Sequence, residues 1–177
     1  MLHVPSFITT LWDQYQVPEN IRKHSIVVTK VAMKIAQKLK NQGLALDSDL
    51  VYTASMLHDI AKARCLRQDK KHAIEGARIL KQEGYPKIAK IVAKHGLDAI
   101  LEKNGLDSLE AKIVYYADKR VNHDQVVGLS ERLRYIKDRY QHKRLEKNSV
   151  LASKIYELEK EILGMGSHDK FLKVIIE

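Results

Sequence analysis

The most constraining feature of the sequence is an adjacent histidine and aspartate at the end of an apolar helical run. The stretch from Leu50 to Leu57 is largely apolar, and His58 and Asp59 follow it directly. A carboxylate is buried only when it is paired with a cation or bound to a metal, and a buried imidazole needs partners for both ring nitrogens. The chain must therefore fold so that other polar or ionic groups converge on this pair.

The same dipeptide occurs twice more in different surroundings. His123-Asp124 and His168-Asp169 lie among Arg, Asn, Ser and Lys residues rather than after an apolar run. Both of these copies are expected to be solvated. Only His58-Asp59 is therefore interpreted as part of a candidate functional site.

Length and composition predict one globular domain. A chain of 177 residues can bury one substantial core, and a second full domain is not expected. Its 45% hydrophobic and 30% charged residues are typical of a soluble globular protein. The helix pattern divides this domain into an N-terminal lid helix (1–17), a core that holds the candidate site (18–128) and a C-terminal helical extension packed on that core (129–177).

The charge balance predicts an anionic ligand. Lys and Arg total 31 against 22 Asp and Glu, a net charge of +9, which attracts nucleic acids, nucleotides and phosphorylated metabolites without choosing among them. Cys65 is the single cysteine, which excludes an intramolecular disulfide and suits a reducing compartment. The first residues do not resemble a secretory leader, and no apolar stretch approaches the ~20 residues that span a bilayer. We therefore expect a cytoplasmic protein without a membrane partner.

Helical periodicity and helix-end signals predict an all-α bundle. Proline opens and glycine closes a helix from Pro18 to Gly43, whose apolar face includes His24, three residues after Ile21. The next predicted helices, in chain order, run from Ser6 to before Val17, from Asp47 or Ser48 through His58 and Asp59 to the basic stretch at 64–71, from His72 to Glu83, from Pro86 to Lys94 and from Asp107 to Asp118. Two further helices are predicted between Ser130 and Leu163, with a break near Asn148-Ser149. The terminal segment 171–176 is compatible with helix or strand, and no other strand is predicted.

Six histidine and aspartate side chains lie on inner helix faces or at helix ends. Any one of them alone would be explained as a hydrogen-bonded core residue, or, for Asp118, as a surface ion pair. Six such groups exceed what a core satisfies with hydrogen bonds, and imidazole with carboxylate suits Mn, Fe, Co, Ni or Zn. We interpret the set as a metal centre, with the ligands His24, His58, Asp59, His72, His95 and Asp118.

The order of these residues, a His, then His-Asp, then a distant Asp, resembles the HD-domain superfamily of metal-dependent phosphohydrolases over roughly His24 to His123. The resemblance implies an all-helical fold and a first metal bound by His24, His58, Asp59 and Asp118. His72 and His95 match the variant with six ligands, in which Asp59 bridges to a second metal. Many relatives have His-Asp-Ile-Gly, and Ala61 stands here in place of that glycine.

The resemblance also implies a chemistry. One or two divalent ions (Mn, Fe, Mg, Co, Ni or Zn), about 3.5–4 Å apart when both are bound, would activate a water to cleave a phosphoester or phosphoanhydride of a nucleotide or other small phosphorylated metabolite. Asp59 would hold both ions. Lys62, one helical turn further on, would bind a substrate phosphate, the alternative being an ordinary solvated lysine. Further cations expected to flank the opening and to steer an anionic substrate are Arg64, Lys71, Lys119 and Arg120.

Two other functions are compatible with the same features. The six ligands also resemble those of HD-type di-iron oxygenases, which sequence spacing does not separate from the hydrolases. A basic C-terminal stretch suggests a nucleic-acid-binding or regulatory module with a structural metal, although acidic residues interleave with it. The same C-terminal helices are a candidate homodimer contact through their apolar stripe. The basic stretch comprises Arg132, Arg134, Lys137, Arg139, His142, Lys143, Arg144 and Lys147.

Overall fold

The structure, a computed structural model, describes residues 3–66, 71–140 and 145–164. Within these ranges the chain is predominantly helical, and the only sheet is an antiparallel hairpin of two-residue strands. The predicted all-α architecture is confirmed. The hairpin was not predicted, because strands of two residues are too short to show alternation in the sequence.

The helices are α1 (Ser6–Gln14), α2 (Glu19–Asn41), α3 (Ser48–Leu57), α4 (Lys62–Leu66), α5 (His72–Gln82), α6 (Pro86–Val92), a 3₁₀ helix (Leu97–Leu101), α7 (Leu109–Lys119), α8 (Leu129–Tyr140) and α9 (Leu145–Leu163). The strands β1 (Val121–Asn122) and β2 (Gln125–Val126) lie between α7 and α8.

Local signals set several of these boundaries. The Asp47 carboxylate accepts a hydrogen bond from the backbone N–H of Leu50 at 2.9 Å and so caps the start of α3. Gly43 and Gly84 follow α2 and α5 with φ angles of +86° and +87°, which glycine adopts without steric cost. These ends lie where the sequence predicts them.

The central helix ends earlier than predicted. Periodicity continues through Ala61, but α3 stops at Leu57 and residues 58–61 form a turn. The backbone there changes to tighter bonds, from Ile60 N–H to the Leu57 carbonyl at 3.1 Å and from Lys62 N–H to the Asp59 carbonyl at 2.9 Å. The His58-Asp59 pair therefore lies in the junction between α3 and α4.

Two further boundaries differ from the predictions. Ser108 caps α7 by accepting from the Ala111 N–H at 3.1 Å, whereas Asp107 forms an ion pair with Lys94. Residues 148–149, where a break in the C-terminal helical region is predicted, lie inside α9. The segment 171–176 and the side chains at 139–148 lie outside the described part of the structure. The division of the chain into three parts stays a prediction.

The core forms where α2, α3 and α7 pack against one another. On α1, Trp12 is buried and its Nε1–H donates to the Met56 carbonyl at 3.2 Å, so the N-terminal helix lies against the end of α3. On α9, Ile155 and Ile162 are buried against the same core, so this apolar stripe is used within the chain and a dimer contact through it would compete with this packing. In the described ranges, no helix has the length and apolar character needed to cross a membrane.

Candidate metal centre

The fold brings all six predicted ligands to one buried place. His24 lies on α2, His58 and Asp59 lie in the turn after α3, and His72 is the first residue of α5. His95 follows α6, and Asp118 lies in the last turn of α7. The cluster, as these six residues are called below, therefore depends on five helices and the turns that follow them.

His24, His58 and Asp118 form the first trio, in which each residue offers one ligand atom within 4.8 Å of the other two. The Asp118 Oδ1 atom lies 3.1 Å from His24 Nε2 and 3.6 Å from His58 Nε2. All three side chains are buried. Two imidazole nitrogens and a carboxylate oxygen at such spacings suit a divalent transition metal.

Asp59, His72 and His95 form the second trio, which meets the same 4.8 Å limit. The Asp59 Oδ1 atom lies 3.4 Å from His72 Nε2 and 3.5 Å from His95 Nε2. Asp59 and His95 are buried, whereas the His72 side chain is 36% exposed. The second trio is thus the side of the cluster that solvent reaches.

The two oxygens of the Asp59 carboxylate face different pairs of histidines. Oδ1 faces His72 and His95 of its own trio, whereas Oδ2 lies 3.3 Å from His58 Nε2 and 3.7 Å from His24 Nε2 of the first trio. A carboxylate in this position can contribute one oxygen to each of two metal ions. This arrangement fits the bridging role that the sequence resemblance implies for Asp59.

Backbone carbonyls orient three of the imidazoles for metal binding. The Nδ1–H groups of His24, His58 and His95 donate to the carbonyls of His123, Ser55 and Val92 at 2.5, 2.7 and 2.6 Å, respectively. Because a carbonyl only accepts, each Nε2 is left to face the cluster, as in metal-ligating histidines. The buried Nε2 atoms of His58 and His95 have no hydrogen-bond partner among the described residues. These orphaned nitrogens are the observation that fits the cluster to a metal.

The carboxylates of the cluster alter the protonation of His58. Burial opposes the charged imidazole, but Asp59 and Asp118 outweigh it and raise the pKa of His58 to about 9. Burial likewise opposes charge on Asp59, yet His58 and Lys62 hold its pKa well below the usual range. Without a metal, a proton on His58 therefore adds to the positive charge that Lys62 and Lys119 place beside the two carboxylates.

The pKa values of the two histidines in the second trio are lowered instead of raised. Burial, followed by the nearby charge of His95, lowers the pKa of His72 to about 4. Burial also lowers the pKa of His95, against the effect of its contact with Asp59. At neutral pH the imidazole of His72 is thus uncharged, which is the form that binds a metal.

Two lysines contact the carboxylates of the cluster. Lys62 Nζ lies 2.6 Å from Asp59 Oδ2, and its side chain is 36% exposed. Lys119 is almost fully buried, donating to Asp118 Oδ2 at 2.5 Å and to the His95 carbonyl at 3.1 Å. Lys119 was predicted to flank the opening, but its position in the core gives it a structural contact with both trios instead.

The other predicted substrate-binding cations do not reach the opening. Arg120 is fully buried and donates to the Val127 carbonyl, the Tyr116 hydroxyl and Glu159, which ties α7 to the hairpin and α9. The prediction that Arg120 flanks the opening is therefore wrong, because internal partners compensate its charge. Arg64 and Lys71 are exposed, and neither lines the cavity beside the cluster.

A cavity of about 700 Å³ opens beside the cluster and includes His24, Lys62 and His72 in its wall. Its other lining residues include Lys23, Asn122, His123, Arg132 and Tyr135, none of which was predicted as a site residue. Arg132 was noticed only as one member of the basic stretch. The contribution of His123 to the cluster is its backbone carbonyl, which no side-chain pattern could have revealed.

The fold and the cluster together define an all-α protein with a candidate divalent-metal centre built from His and Asp side chains. Comparison with known families agrees with this class, because the HD domain model matches residues 21–122 and so contains all six ligands. The chain belongs to the HD domain family.

Two curated proteins are similar to the chain over most of its length. An uncharacterized protein of Methanocaldococcus jannaschii is 31% identical over 162 residues, which is 81% of this chain and 88% of that protein. A tRNA (cytidine(56)-2'-O)-methyltransferase of Picrophilus torridus is 31% identical over 161 residues, which is 84% of this chain but only 44% of that protein. No solved structure matches the chain.

Proposed function

We propose that the protein is a metal-dependent phosphohydrolase that cleaves a phosphoester or phosphoanhydride bond of a small phosphorylated molecule. The observation that carries the proposal is the position of the Asp59 carboxylate. One of its oxygens faces His24 and His58, and the other faces His72 and His95. Membership of the HD domain family supports the same chemistry. The finer points, namely the substrate and the metal, are part of the proposal.

Each group of the cluster has a definite role in this proposal. The residues of the first trio would hold one ion, His72 and His95 would hold another, and Asp59 would contribute an oxygen to each. When bound, such ions polarise a phosphoryl group and lower the pKa of a bound water toward neutrality. Four imidazoles among six ligands favour Mn, Fe, Co, Ni or Zn over Mg.

Lys62 is positioned to contact the reacting phosphoryl group. Its Nζ pairs with Asp59 Oδ2, the same oxygen that faces the first trio, so a cation at that trio would compete with the lysine for this oxygen. Lys62 also lines the cavity, where a displaced ammonium would meet an incoming phosphate. The lysine would thus leave the carboxylate and bind the substrate.

Phosphate release from a panel of nucleotides, dinucleoside polyphosphates and sugar phosphates tests the proposal, with Mn, Fe(II), Co, Ni, Zn and Mg supplied in turn. Wild type is expected to hydrolyse at least one class in a metal-dependent way, and Asp59→Asn should reduce that rate to background. Asp49→Asn, an exposed aspartate on α3, is the matched control and should retain the wild-type rate. Substrate-dependent oxygen uptake by the iron-loaded protein without phosphate release would contradict hydrolysis and favour the oxygenase alternative.

RNA binding is a second candidate function, favoured by one specific observation. The relative from Picrophilus torridus is named for an activity on tRNA, and the present chain has a net charge of +9. RNA binding that depends on this positive charge would weaken steeply as the salt concentration rises, because binding releases counterions from the RNA phosphates. Filter binding of tRNA at increasing salt tests this candidate, and absent or salt-insensitive binding would contradict it.

A further inference from the structure

The cavity beside the cluster has a wall that comes from outside the family match. The HD domain model ends at residue 122, whereas Arg132 and Tyr135 reach the cavity from α8. The cavity volume of about 700 Å³ is within the usual range for small-molecule sites and exceeds the size of a single phosphate group. A molecule that extends from the cluster across this cavity would therefore contact α8.

Arg132 is a partly buried cation without an anion. Its Nη1 donates to the Asn122 side-chain oxygen at 2.8 Å, and its guanidinium carbon lies 5.3 Å from the centre of the Tyr135 ring. No carboxylate of the described residues forms an ion pair with it, and its buried Nε has no hydrogen-bond partner there. Partial burial of a guanidinium without a counter-charge is unfavourable, so an anion that reaches Arg132 from the cavity would be stabilised there.

The other charged residues around the cavity do not neutralise Arg132. Glu19 and Asp124 also line it, but neither is within ion-pair distance of Arg132. Lys23 lies in the same wall and adds a further positive charge. Arg132, whose Nη1 donates to Asn122 and whose guanidinium lies beside the Tyr135 ring, suits a charge-assisted hydrogen bond to a phosphate.

Arg132 and Lys62 are close enough to influence one another, yet they have different partners. Burial, and to a smaller extent the Arg132 charge, act to lower the pKa of Lys62, while Asp59 and Asp118 outweigh them and raise it. Lys62 forms an ion pair with Asp59 of the cluster, whereas Arg132 forms no hydrogen bond or ion pair with a cluster residue among the described residues. The two cations are therefore placed for different groups of one ligand.

We propose that Arg132 is a specificity-determining residue, which binds a second phosphate group of the substrate while the first lies at the cluster. The identity of the first group rests on the proposed function. The substrate class is thus a small molecule with two anionic phosphorus groups, in preference to a simple monophosphate. α8, beyond the family match, provides this selection.

Calorimetric titration of the metal-loaded protein with phosphonates, which lack a cleavable P–O–C ester or P–O–P bond, tests the proposal. The probes are methylphosphonate and α,ω-alkane diphosphonates with one to four methylene groups. Wild type is expected to bind at least one diphosphonate more tightly than methylphosphonate. Arg132→Gln should weaken that diphosphonate about ten- to hundredfold and leave methylphosphonate unchanged, since the lost contact is a charge-assisted hydrogen bond.

Arg134→Gln is the matched control, because Arg134 is exposed on the same helix and lines a different groove, between α8 and α9. It should bind every probe as wild type does, and any chelation of metal by a diphosphonate would affect both variants equally. The metal content of each variant shows whether its cluster is intact. If Arg132→Gln does not fold, Arg132→Lys takes its place in the same comparison.

Three results would overturn the proposal: no diphosphonate preferred by wild type, equal losses for both phosphonate types in Arg132→Gln, or equal behaviour of Arg132→Gln and Arg134→Gln. A lack of phosphate release from every ester tested would contradict the proposed hydrolysis. It would leave the difference in diphosphonate affinity in place, so the two failures are distinguishable.

Discussion

At the scale of single residues, one buried lysine determines which oxygen of Asp118 faces the cluster. Lys119 pairs with Asp118 Oδ2, which leaves Oδ1 to face His24 and His58. Lys119 Nζ also lies 4.6 Å from the centre of the Tyr115 ring, and Lys119 does not line the cavity. We infer that Lys119 is a positioning residue, which orients Asp118 and does not contact substrate.

Lys119→Met tests this role, because it keeps most of the side-chain volume and removes the charge. Breaking one half of a buried ion pair costs about 3–5 kcal/mol, and we expect a loss of that order in the free energy of unfolding of the metal-free protein. Metal should restore part of the loss by taking over Asp118. Denaturant unfolding with and without chelator measures both effects.

Lys112→Met is the control for that experiment. Lys112 lies on the same helix and pairs with Glu161 at the surface, where an ion pair contributes less than about 1 kcal/mol. If the two variants lose equal stability, the buried contact of Lys119 does not have the assigned role.

At the scale of elements, the second trio depends on the close packing of α5 against its neighbours. A Cβ atom at Gly76 would lie 3.3 Å from Ile60 Cγ2 and 3.3 Å from Val92 Cγ1, so only glycine leaves these contacts relaxed. Ile60 adjoins Asp59, and the Val92 carbonyl holds the His95 ring. The close packing of α5 at Gly76 therefore holds His72, which lies one helical turn away on the same helix, near Asp59 and His95.

Gly76→Val should separate α5 from the turn that carries Asp59. Overpacking of this kind costs about 1–3 kcal/mol, and we expect that loss of unfolding free energy together with weaker binding of one of the two metal ions. Lys81→Val, at an exposed position of the same helix, controls for the helix propensity of valine. Titration calorimetry with Mn²⁺ and thermal unfolding measure the two effects. A variant with unchanged metal binding would show that Gly76 does not position the second trio.

The sequence predicted elements and ligands to different extents. The all-α class followed from periodicity, and the six ligands followed from His and Asp side chains on inner helix faces. The turn at 58–61 was missed because its residues continue the apolar pattern of α3 although the backbone changes. Arg120 was placed wrongly and Arg132 was missed for one reason, namely that the surroundings of a long cationic side chain depend on tertiary packing.

At the scale of the whole molecule, the cluster joins helices that are distant in the chain. Its six residues come from α2, the α3–α4 turn, α5, the end of α6 and α7, which together make up most of the core. Without metal, this centre keeps two carboxylates buried beside a protonated His58. Metal binding is therefore expected to stabilise the entire fold and to displace a proton.

The pH dependence of metal binding follows from the raised pKa of His58. A pKa of about 9, against an ordinary value of 6.5, means that the proton stabilises the metal-free fold below about pH 6.5 and that this contribution is lost as the pH rises through 9. Metal requires the unprotonated Nε2, so metal affinity and metal-induced stabilisation should both increase over this interval.

Calorimetry in buffers of different ionisation enthalpy measures the released proton directly. His72→Asn is the control, since the lowered pKa of His72 leaves it uncharged at neutral pH and its loss should not reduce proton release. Metal binding that releases no proton between pH 6.5 and pH 9 would contradict the assigned state of His58.

Elemental analysis of protein purified without chelator, saturated with Mn²⁺ and then freed of unbound metal is the most direct test of whether Asp59 connects two metal positions. We expect one ion for each trio in wild type, the loss of one ion in His72→Asn, and the loss of both in Asp59→Ala. A wild-type protein free of metal, or an Asp59→Ala variant that retains the wild-type metal content, would contradict it.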